Sequence, residues 1–173
     1  VASKAVLHLA EGGEIVITQD TVFQKEMKTV LLENRLDTIH FLPKEMNDVF
    51  SDKEYRLEVP RGGEYVARLE DGTIVHMDAE SELIIPQKFK KDSRQVELNG
   101  HAYFIVTEDS TRPFIVKSGN LKIRVLGTEF DFDAYEGQEI TTTLVKGSVE
   151  VSYGDSKCRL KPNQQARLGM SGR

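Results

Sequence analysis

The stretch "LEDGTIVHMDAES", residues 69–81, joins an Asp-Gly pair to a short strand-like run and then to several acidic residues. An Asp-Gly pair in front of such a run is typical of a β-hairpin turn, because glycine readily adopts the positive φ that these turns require. Residues 74–77 have the length of a short strand. The stretch therefore predicts a hairpin, and its acidic end raises the question of a binding site.

Alternation with a period of two continues along the chain from about residue 55. In "LKIRVLG", Leu121, Ile123 and Val125 alternate with Lys122 and Arg124, as in a strand with one buried face. The other predicted strands are residues 65–69, 74–77, 96–98, 102–106, 114–117, 130–135, 142–145, 149–153, 158–160 and 166–168. Turn-forming segments separate them: "EDGT", "LNGH", "DSTRP", "KSGN", "YEGQ", "VKGS", "YGDS" and "KPNQ".

Short strands of this kind, separated by turns and not interleaved with amphipathic helices, predict an all-β fold. The arrangement is either an antiparallel short-stranded sandwich or a β-solenoid-like stack of hairpins, with little or no helix. We predict two regions: residues 1–53, an N-terminal β segment that packs on or continues the main sheet system, and residues 54–173, the main domain.

The N-terminal region is less regular than the rest, but "LAEGGEIVI", residues 9–17, matches "LEDGTIVHM", residues 69–77. The match predicts that the same kind of β-hairpin forms at both places. Residues 23–32 can be read as a helix or as strands, and we favour strands because β-branched residues begin the run and no convincing N-cap precedes it. Residues 42–54 are interpreted as an exposed connection.

Composition excludes several functions. The 173 residues carry 28 acidic and 23 basic side chains, and the basic ones are scattered except in "QKFKKDSR", so a nucleic-acid partner is not expected. The longest uninterrupted apolar runs are far shorter than the roughly 18 to 20 residues of a membrane span. Because the chain begins at Val1 without a leader, we expect a fragment whose targeting or anchoring segment was removed.

Cys158 is the only cysteine, which excludes an internal disulfide and a thiolate metal cluster. Its alternating position in "KCRLK" favours a small buried hydrophobic residue over a nucleophile.

A row of polar residues after the Asp-Gly turn is a candidate metal site, comprising His76, Asp78, Glu80 and Glu82. Side chains two residues apart share a strand face, so these groups could line up as ligands. Exposed strand faces are normally charged, and a solvated row is therefore the favoured interpretation. The other histidines, His8, His40 and His101, show no ligand spacing. No metal or cofactor site is predicted.

The acidic run "DFDAYEGQE" resembles a calcium loop only superficially, since the glycine is displaced by one position and the twelfth residue is Thr142. Asp131 and Asp133 lie two apart on one strand, which is not the opposed geometry that glycoside hydrolysis requires. No nucleophile elbow or phosphate-binding glycine loop occurs. We predict no catalytic residues and no enzyme.

A carbohydrate-binding or hydrolytic β-domain is the alternative interpretation. The sequence has no Trp to form an aromatic platform. Four tyrosines are interpreted as lying at or near inward positions: Tyr65, Tyr103, Tyr135 and Tyr153.

A series of short motifs in a fixed order begins at residue 59. It comprises Val-Pro-x-Gly, Asp-Gly-Thr, Ala-x-Ser-x-Leu with Pro86, Gly-x-Ala-Tyr-Phe, Pro-Phe-Ile-Val, Val-Leu-Gly-Thr-x-Phe, Gly-Ser-Val-x-Val and Leu-x-Pro. Over residues 54–168 this order resembles the periplasmic domain of the FecR family, in particular its Bacteroidetes-type members.

The resemblance implies a signalling module without catalytic residues or cofactors. Family members are single-pass inner-membrane anti-sigma factors that act in cell-surface signalling and transcription regulation. Their periplasmic region receives a signal from the periplasmic signalling domain of a TonB-dependent transporter, and a cytoplasmic domain holds an extracytoplasmic-function sigma factor. The expected location of this chain is the periplasm. The cytoplasmic domain, the membrane anchor and a small C-terminal domain found in many members would lie outside it.

The chain departs from the FecR-type pattern in three places. His101 stands where glutamate is usual, "FDF", residues 130–132, stands where Phe-Asn-Val is common, and Asp78 stands where asparagine is usual. Each change keeps the strand alternation, so the departures concern polar contacts at these positions and not the fold.

Overall fold

The computed structural model describes residues 3–27, 29–35, 37–44 and 52–169. These residues form 17 strands and no helix, which confirms the all-β prediction. The strands are β1 (Ser3–His8), β2 (Glu14–Thr18), β3 (Phe23–Glu26), β4 (Val30–Arg35), β5 (Thr38–Pro43), β6 (Glu54–Glu58), β7 (Tyr65–Arg68), β8 (Ile74–Met77), β9 (Glu82–Pro86), β10 (Arg94–Ile105), β11 (Phe114–Ser118), β12 (Leu121–Val125), β13 (Glu129–Ala134), β14 (Ile140–Lys146), β15 (Val149–Tyr153), β16 (Ser156–Leu160) and β17 (Gln165–Leu168).

The strands form one curled sheet system with two layers that share β10. Sheet A has the order β2-β1-β6-β9-β10-β11-β12-β15-β16. Sheet B has the order β3-β4-β5-β7-β8-β10-β13-β14-β17. The pairs β5–β7 and β10–β11 are parallel, and the other pairs are antiparallel, so the sheet system is mixed.

The inward faces of the two layers pack into a single hydrophobic core. Phe104 of sheet B stacks on Phe130 at a centroid distance of 5.0 Å and meets Phe114 of sheet A edge-on at 6.3 Å. Further along, Phe41 of sheet B contacts Tyr55 of sheet A at 5.4 Å. Each fully buried side chain of this size contributes about 1.5–3 kcal/mol, so the core explains why the alternating pattern folds in this way.

Strand β10 crosses from one layer to the other in the middle of its length. Its first half pairs with β9 and β11 in sheet A, and its second half pairs with β8 and β13 in sheet B. The prediction of a turn at "LNGH" is therefore wrong, because Gly100 lies within a continuous strand. Its φ of 118° permits the crossing, and a Cβ there would lie 2.4 Å from the Ser81 hydroxyl oxygen.

The repeated hairpin is present at both predicted places. The backbone N–H of Leu9 donates to the carbonyl of Gly13 at 2.9 Å, and that of Leu69 donates to the carbonyl of Thr73 at 2.8 Å. The fourth residue of each loop is a glycine with positive φ, 99° in the first loop and 90° in the second. The first hairpin joins strands of sheet A and the second joins strands of sheet B.

Strands of the N-terminal region pair with strands of the main domain in both layers. In sheet A, β1 pairs with β6, and in sheet B, β5 pairs with β7. Residues 23–26 and 30–35 are strands, as favoured over a helix. Most of the predicted connection, residues 45–51, lies outside the described residues, and the division at residue 54 stays a prediction. No helix among the described residues is long and apolar enough to span a membrane.

Candidate interaction surface

A fully buried arginine holds the Asp-Gly turn in place. The side chain of Arg94 is 0% exposed and that of Asp71 3% exposed, and Nη1 of Arg94 lies 2.8 Å from Oδ2 of Asp71. The guanidinium also donates to the carbonyl oxygens of Thr107, Arg112 and Leu126, at 2.7, 2.8 and 3.1 Å. A buried ion pair with these additional hydrogen bonds is part of the scaffold, because removing either partner would leave a charge without compensation.

The carboxylate of Asp71 also closes its own turn. It accepts a hydrogen bond from the backbone N–H of Thr73 at 3.0 Å and from its hydroxyl at 2.7 Å. The Asp-Gly-Thr motif therefore has a structural role, which sequence reasoning described only as a turn. Arg94 was not predicted as a structural residue from the sequence. It lies two and four residues before Val96 and Leu98 in "RQVEL", and this spacing places all three side chains on the inward face of the strand.

On the outer face of sheet B, a histidine lies between two carboxylates. Nδ1 of His101 is 2.5 Å from Oδ2 of Asp78, and Nε2 is 2.7 Å from Oδ1 of Asp131. Asp78 follows β8, His101 is in β10 and Asp131 is in β13, so the cluster bridges three neighbouring strands. Since each ring nitrogen faces a carboxylate oxygen, the doubly protonated imidazolium ring is the form that satisfies both contacts.

The electrostatics of the cluster favour this charged form. Partial burial lowers the pKa of His101, but hydrogen bonds to Asp131 and Asp78 and the charges of both carboxylates outweigh it, and the pKa is raised above its ordinary value. The raised pKa therefore favours the doubly protonated ring over the neutral one.

At the C-terminal end of the two layers, a largely apolar cleft opens between β16 and β17. Its volume is about 180 Å³, and Lys157 and Arg167 also line it. We call it the terminal cleft. Its apolar lining comes from both sheets and comprises Leu121, Ile140, Val151, Cys158, Ala166 and Leu168.

The FecR protein family matches this chain over residues 55–150. The chain belongs to the FecR family. The matched residues run from β6 to β15 and include the Arg94–Asp71 pair and the His101 cluster, whereas β1 to β5, β16 and β17 lie outside the match.

Two crystal structures of a protein proposed to be an anti-sigma factor, from Parabacteroides distasonis ATCC 8503, are similar to the FecR chain. The structure at 2.50 Å resolution is 34% identical, with a TM-score of 0.66, over 68% of this chain and 56% of that chain. The structure at 1.65 Å resolution is 35% identical, with a TM-score of 0.65, over 67% and 55%. The chain thus spans little more than half the length of these relatives. No curated protein matches it.

One residue from each of the three places that differ from the expected FecR-type pattern lies in the His101 cluster. His101 is accompanied there by Asp78 and Asp131. The register of β10 and β13 brings Asp131 next to the ring, and the backbone bond from Asp78 to His101 positions the other carboxylate. These residues therefore form one hydrogen-bonded unit.

The candidate metal row, formed by His76, Asp78, Glu80 and Glu82, is dispersed in the structure. Asp78 turns to His101, whereas Glu80 lies in the following turn and pairs with Arg61 at 3.2 Å. Glu82 belongs to sheet A, where it pairs with Arg56 at 3.3 Å. Within the described part of the chain, no group of three or more His, Cys, Asp and Glu side chains could hold a metal ion.

Two interpretations of side-chain burial need correction. Tyr65 is buried, but Tyr103 lies on the outer face of sheet B, because it alternates with buried Ala102 and Phe104. Its hydroxyl donates to Glu129 at 3.1 Å. Cys158 is exposed and not buried as expected. It faces inward opposite Val151, but β16 is the outermost described strand of sheet A and the terminal cleft leaves it uncovered.

Proposed function

We propose that this chain is the periplasmic, non-catalytic, signal-receiving part of a FecR-type anti-sigma regulator. The observation that carries the proposal is membership of the FecR family, established over residues 55–150. Similarity to the Parabacteroides distasonis protein, itself proposed to be an anti-sigma factor, supports the regulatory role. In this proposal a TonB-dependent transporter supplies the signal, and a cytoplasmic domain of the same protein controls an extracytoplasmic-function sigma factor.

The architecture suits a module that binds other proteins. The layers are joined by β10 and packed on one core, so the outer strands are presented on a firm support. Among the described residues, sheet A ends in β2 and β16 and sheet B ends in β3 and β17, each paired on one side only. Unpaired backbone groups at such edges can accept an extended segment of a partner.

Three charged groups inside the fold, those of Arg94, Asp71 and Glu70, have structural partners. Arg94 and Asp71 satisfy one another in the core, and the carboxylate of Glu70 accepts the backbone N–H of Phe89 at 2.7 Å. Burial raises the pKa of Glu70, although the bond from Phe89 opposes this. These groups support the loops rather than form a reaction centre, which agrees with a binding role.

A binding experiment with the full-length protein tests the proposal. The partner is the periplasmic signalling domain of the TonB-dependent transporter whose gene lies beside that of the regulator. We expect binding with a Kd of about 10 µM or tighter. A matched control is the signalling domain of an unrelated transporter. Absence of binding at about 100 µM would contradict the proposal, and a clear thermal stabilisation by oligosaccharides would favour the alternative of a carbohydrate-binding domain.

A further inference from the structure

The two ends of the layered fold differ in how well they are closed. At the N-terminal end, the inward side chain of Ile17 on outermost β2 is 0% exposed. At the C-terminal end, Cys158 on outermost β16 points to the same interior and is exposed, and inward Ala166 and Leu168 on β17 are only partly buried. Among the described residues, the core is therefore open at the terminal cleft, where apolar surface from both sheets faces solvent.

The backbone of β16 is bonded on one side only. It pairs with β15 from Val149 opposite Leu160 to Tyr153 opposite Ser156, and no described strand lies on its other side. A further strand added there would continue sheet A over the terminal cleft. Because side chains of a strand alternate, every second residue of this added strand would point into the cleft beside Cys158 and the others would point outward.

The outward neighbours of an added strand would be cationic. Lys157 and Arg159 are the outward residues of β16, and both are exposed, although Nη2 of Arg159 lies 3.5 Å from Oε2 of Glu150 on β15. On the same outer face, Lys117 of β11 stands directly opposite Lys122 of β12. Across β12, β15 and β16, the outward cations outnumber the one outward carboxylate, that of Glu150, and they are Lys122, Arg124, Lys157 and Arg159. This part of the face therefore favours an acidic partner.

The same charges disfavour a second copy of this chain as the occupant. Antiparallel pairing of two β16 strands would bring Lys157 and Arg159 of one copy against those of the other. The β17 edge offers no better pairing, since Arg167 is its exposed, outward cation. The outward cations of β16 and β17 therefore favour a different protein, one with negative charges at alternate positions.

We propose that β16 and the terminal cleft accept an extended segment of a partner protein in which apolar residues alternate with acidic residues. The apolar side chains enter the cleft, the acidic ones pair with Lys157 and Arg159, and the backbone pairs with the free edge of β16. This proposal rests on the proposed function, because it specifies the segment that the signal-receiving module binds.

The test uses the intact chain and two synthetic peptides. One is acetyl-Glu-Val-Glu-Val-Glu-Val-Glu-amide and the other is its counterpart with lysine in place of every glutamate. We expect the acidic peptide to bind saturably with a Kd below about 1 mM, measured by calorimetry, and the basic peptide not to bind. Cys158 is the only cysteine, so its alkylation by iodoacetamide reports occupancy of the cleft, and the acidic peptide should slow it.

Charge reversal provides the decisive variants. The double variant Lys157→Glu, Arg159→Glu should bind the acidic peptide about tenfold more weakly and should gain affinity for the basic peptide. The matched control is Lys25→Glu on β3, an exposed cation on an outermost strand at the other end of the fold, which should change neither affinity. Circular dichroism checks that each variant keeps its strand content.

Several outcomes would overturn the proposal: no binding of the acidic peptide, equal binding of both peptides, no effect of the double variant, or a dimer in sedimentation that protects Cys158. The proposed function fails separately. If the transporter domain binds the full-length protein and the double variant leaves that binding unchanged, the cleft proposal is wrong and the function stands. If the peptide binds as expected but the transporter domain does not bind the full-length protein, the proposed function is wrong and the cleft remains a binding site for such a segment.

Discussion

Arg94 is the residue on which the loops around the middle of the fold depend. Its guanidinium contacts the Asp71 carboxylate and the carbonyl oxygens of Thr107, Arg112 and Leu126, and it lies 5.4 Å from the ring centre of Phe114. These contacts come from separate parts of the chain. One side chain therefore fixes the hairpin after β7 against the connections that follow β10 and β12.

Replacement of Arg94 by alanine should lower the free energy of unfolding by about 3–5 kcal/mol, because it leaves the Asp71 carboxylate buried without a partner. Arg94→Lys should recover only part of the loss, since an ammonium group cannot span the same acceptors. Urea denaturation measures both. The control is Arg112→Ala, which removes a partly exposed pair with Asp109 and should destabilise the protein far less than Arg94→Ala. Equal losses for Arg94→Ala and Arg112→Ala would contradict this role.

The His101 cluster should make stability depend on pH in a defined direction. Its raised pKa means that the folded state binds the proton more tightly than the unfolded state. The stabilisation is therefore fully present below the unfolded pKa of about 6.5 and is lost as the pH rises through the folded pKa. Because Asp78 and Asp131 are 48% and 35% exposed, we expect about 1 kcal/mol or less.

The measurement is urea unfolding of the wild type and of His101→Gln between about pH 5.5 and pH 9. The difference in stability should be largest at the acidic end and should approach a constant small value at the alkaline end. The double variant Asp78→Asn, Asp131→Asn removes both carboxylates. Its free energy of unfolding should therefore depend on pH as weakly as that of His101→Gln. A difference that grows with increasing pH would exclude this account.

At the level of strands, most of the fold could be predicted because alternation is a local signal. Residues 74–77 and 149–153 are strands with the predicted ends. The error at "LNGH" has a physical cause: Gly100 is needed for a close approach to Ser81, and a contact between distant segments leaves no mark in local periodicity. Alternation also predicts that the side chain of Cys158 points inward. It does not predict whether other residues bury that side chain.

The candidate site could not be predicted from local sequence for the same reason. The changes at Asp78, His101 and Asp131 could each be seen in the sequence, but their meeting depends on the register of β8, β10 and β13. The terminal cleft could not be predicted at all, since it follows from which strands are outermost.

The crossing in β10 should tolerate no side chain at Gly100. Gly100→Ala would combine a φ of 118° with a Cβ 2.7 Å from the Cα of Ser81, and we expect a loss of about 2–4 kcal/mol in urea unfolding. Gly119→Ala is the matched control, because its φ of 56° is also positive but no atom lies within 4 Å of the added Cβ. That change should cost about 1 kcal/mol. Similar costs at the two positions would show that β10 can shift to make room.

For the molecule as a whole, the pairing of β1 with β6 and of β5 with β7 predicts that the N-terminal strands unfold together with the rest. In native-state hydrogen exchange, the most protected amides of β4 and β5 should have opening free energies within about 1 kcal/mol of those in β12. Removing residues 3–52 should correspondingly abolish the cooperative thermal transition. Rapid exchange of β4 and β5 beside a well-protected β12 would mean that residues 1–53 form a separate unit.

The central position of β10 has a mechanical consequence. This strand is bonded to β8, β9, β11 and β13, whereas the only described strand that pairs with β17 is β14, through a ladder of four residue pairs. Tension applied to the chain after residue 168 would therefore detach β17 from β14 first. The hydrogen bonds of β17 would break before the strands at the centre of the fold came under load. A pull from that end is thus poorly transmitted through the molecule, whereas a segment bound along the free edge of β16 would add a new ladder to sheet A at the same end of the fold.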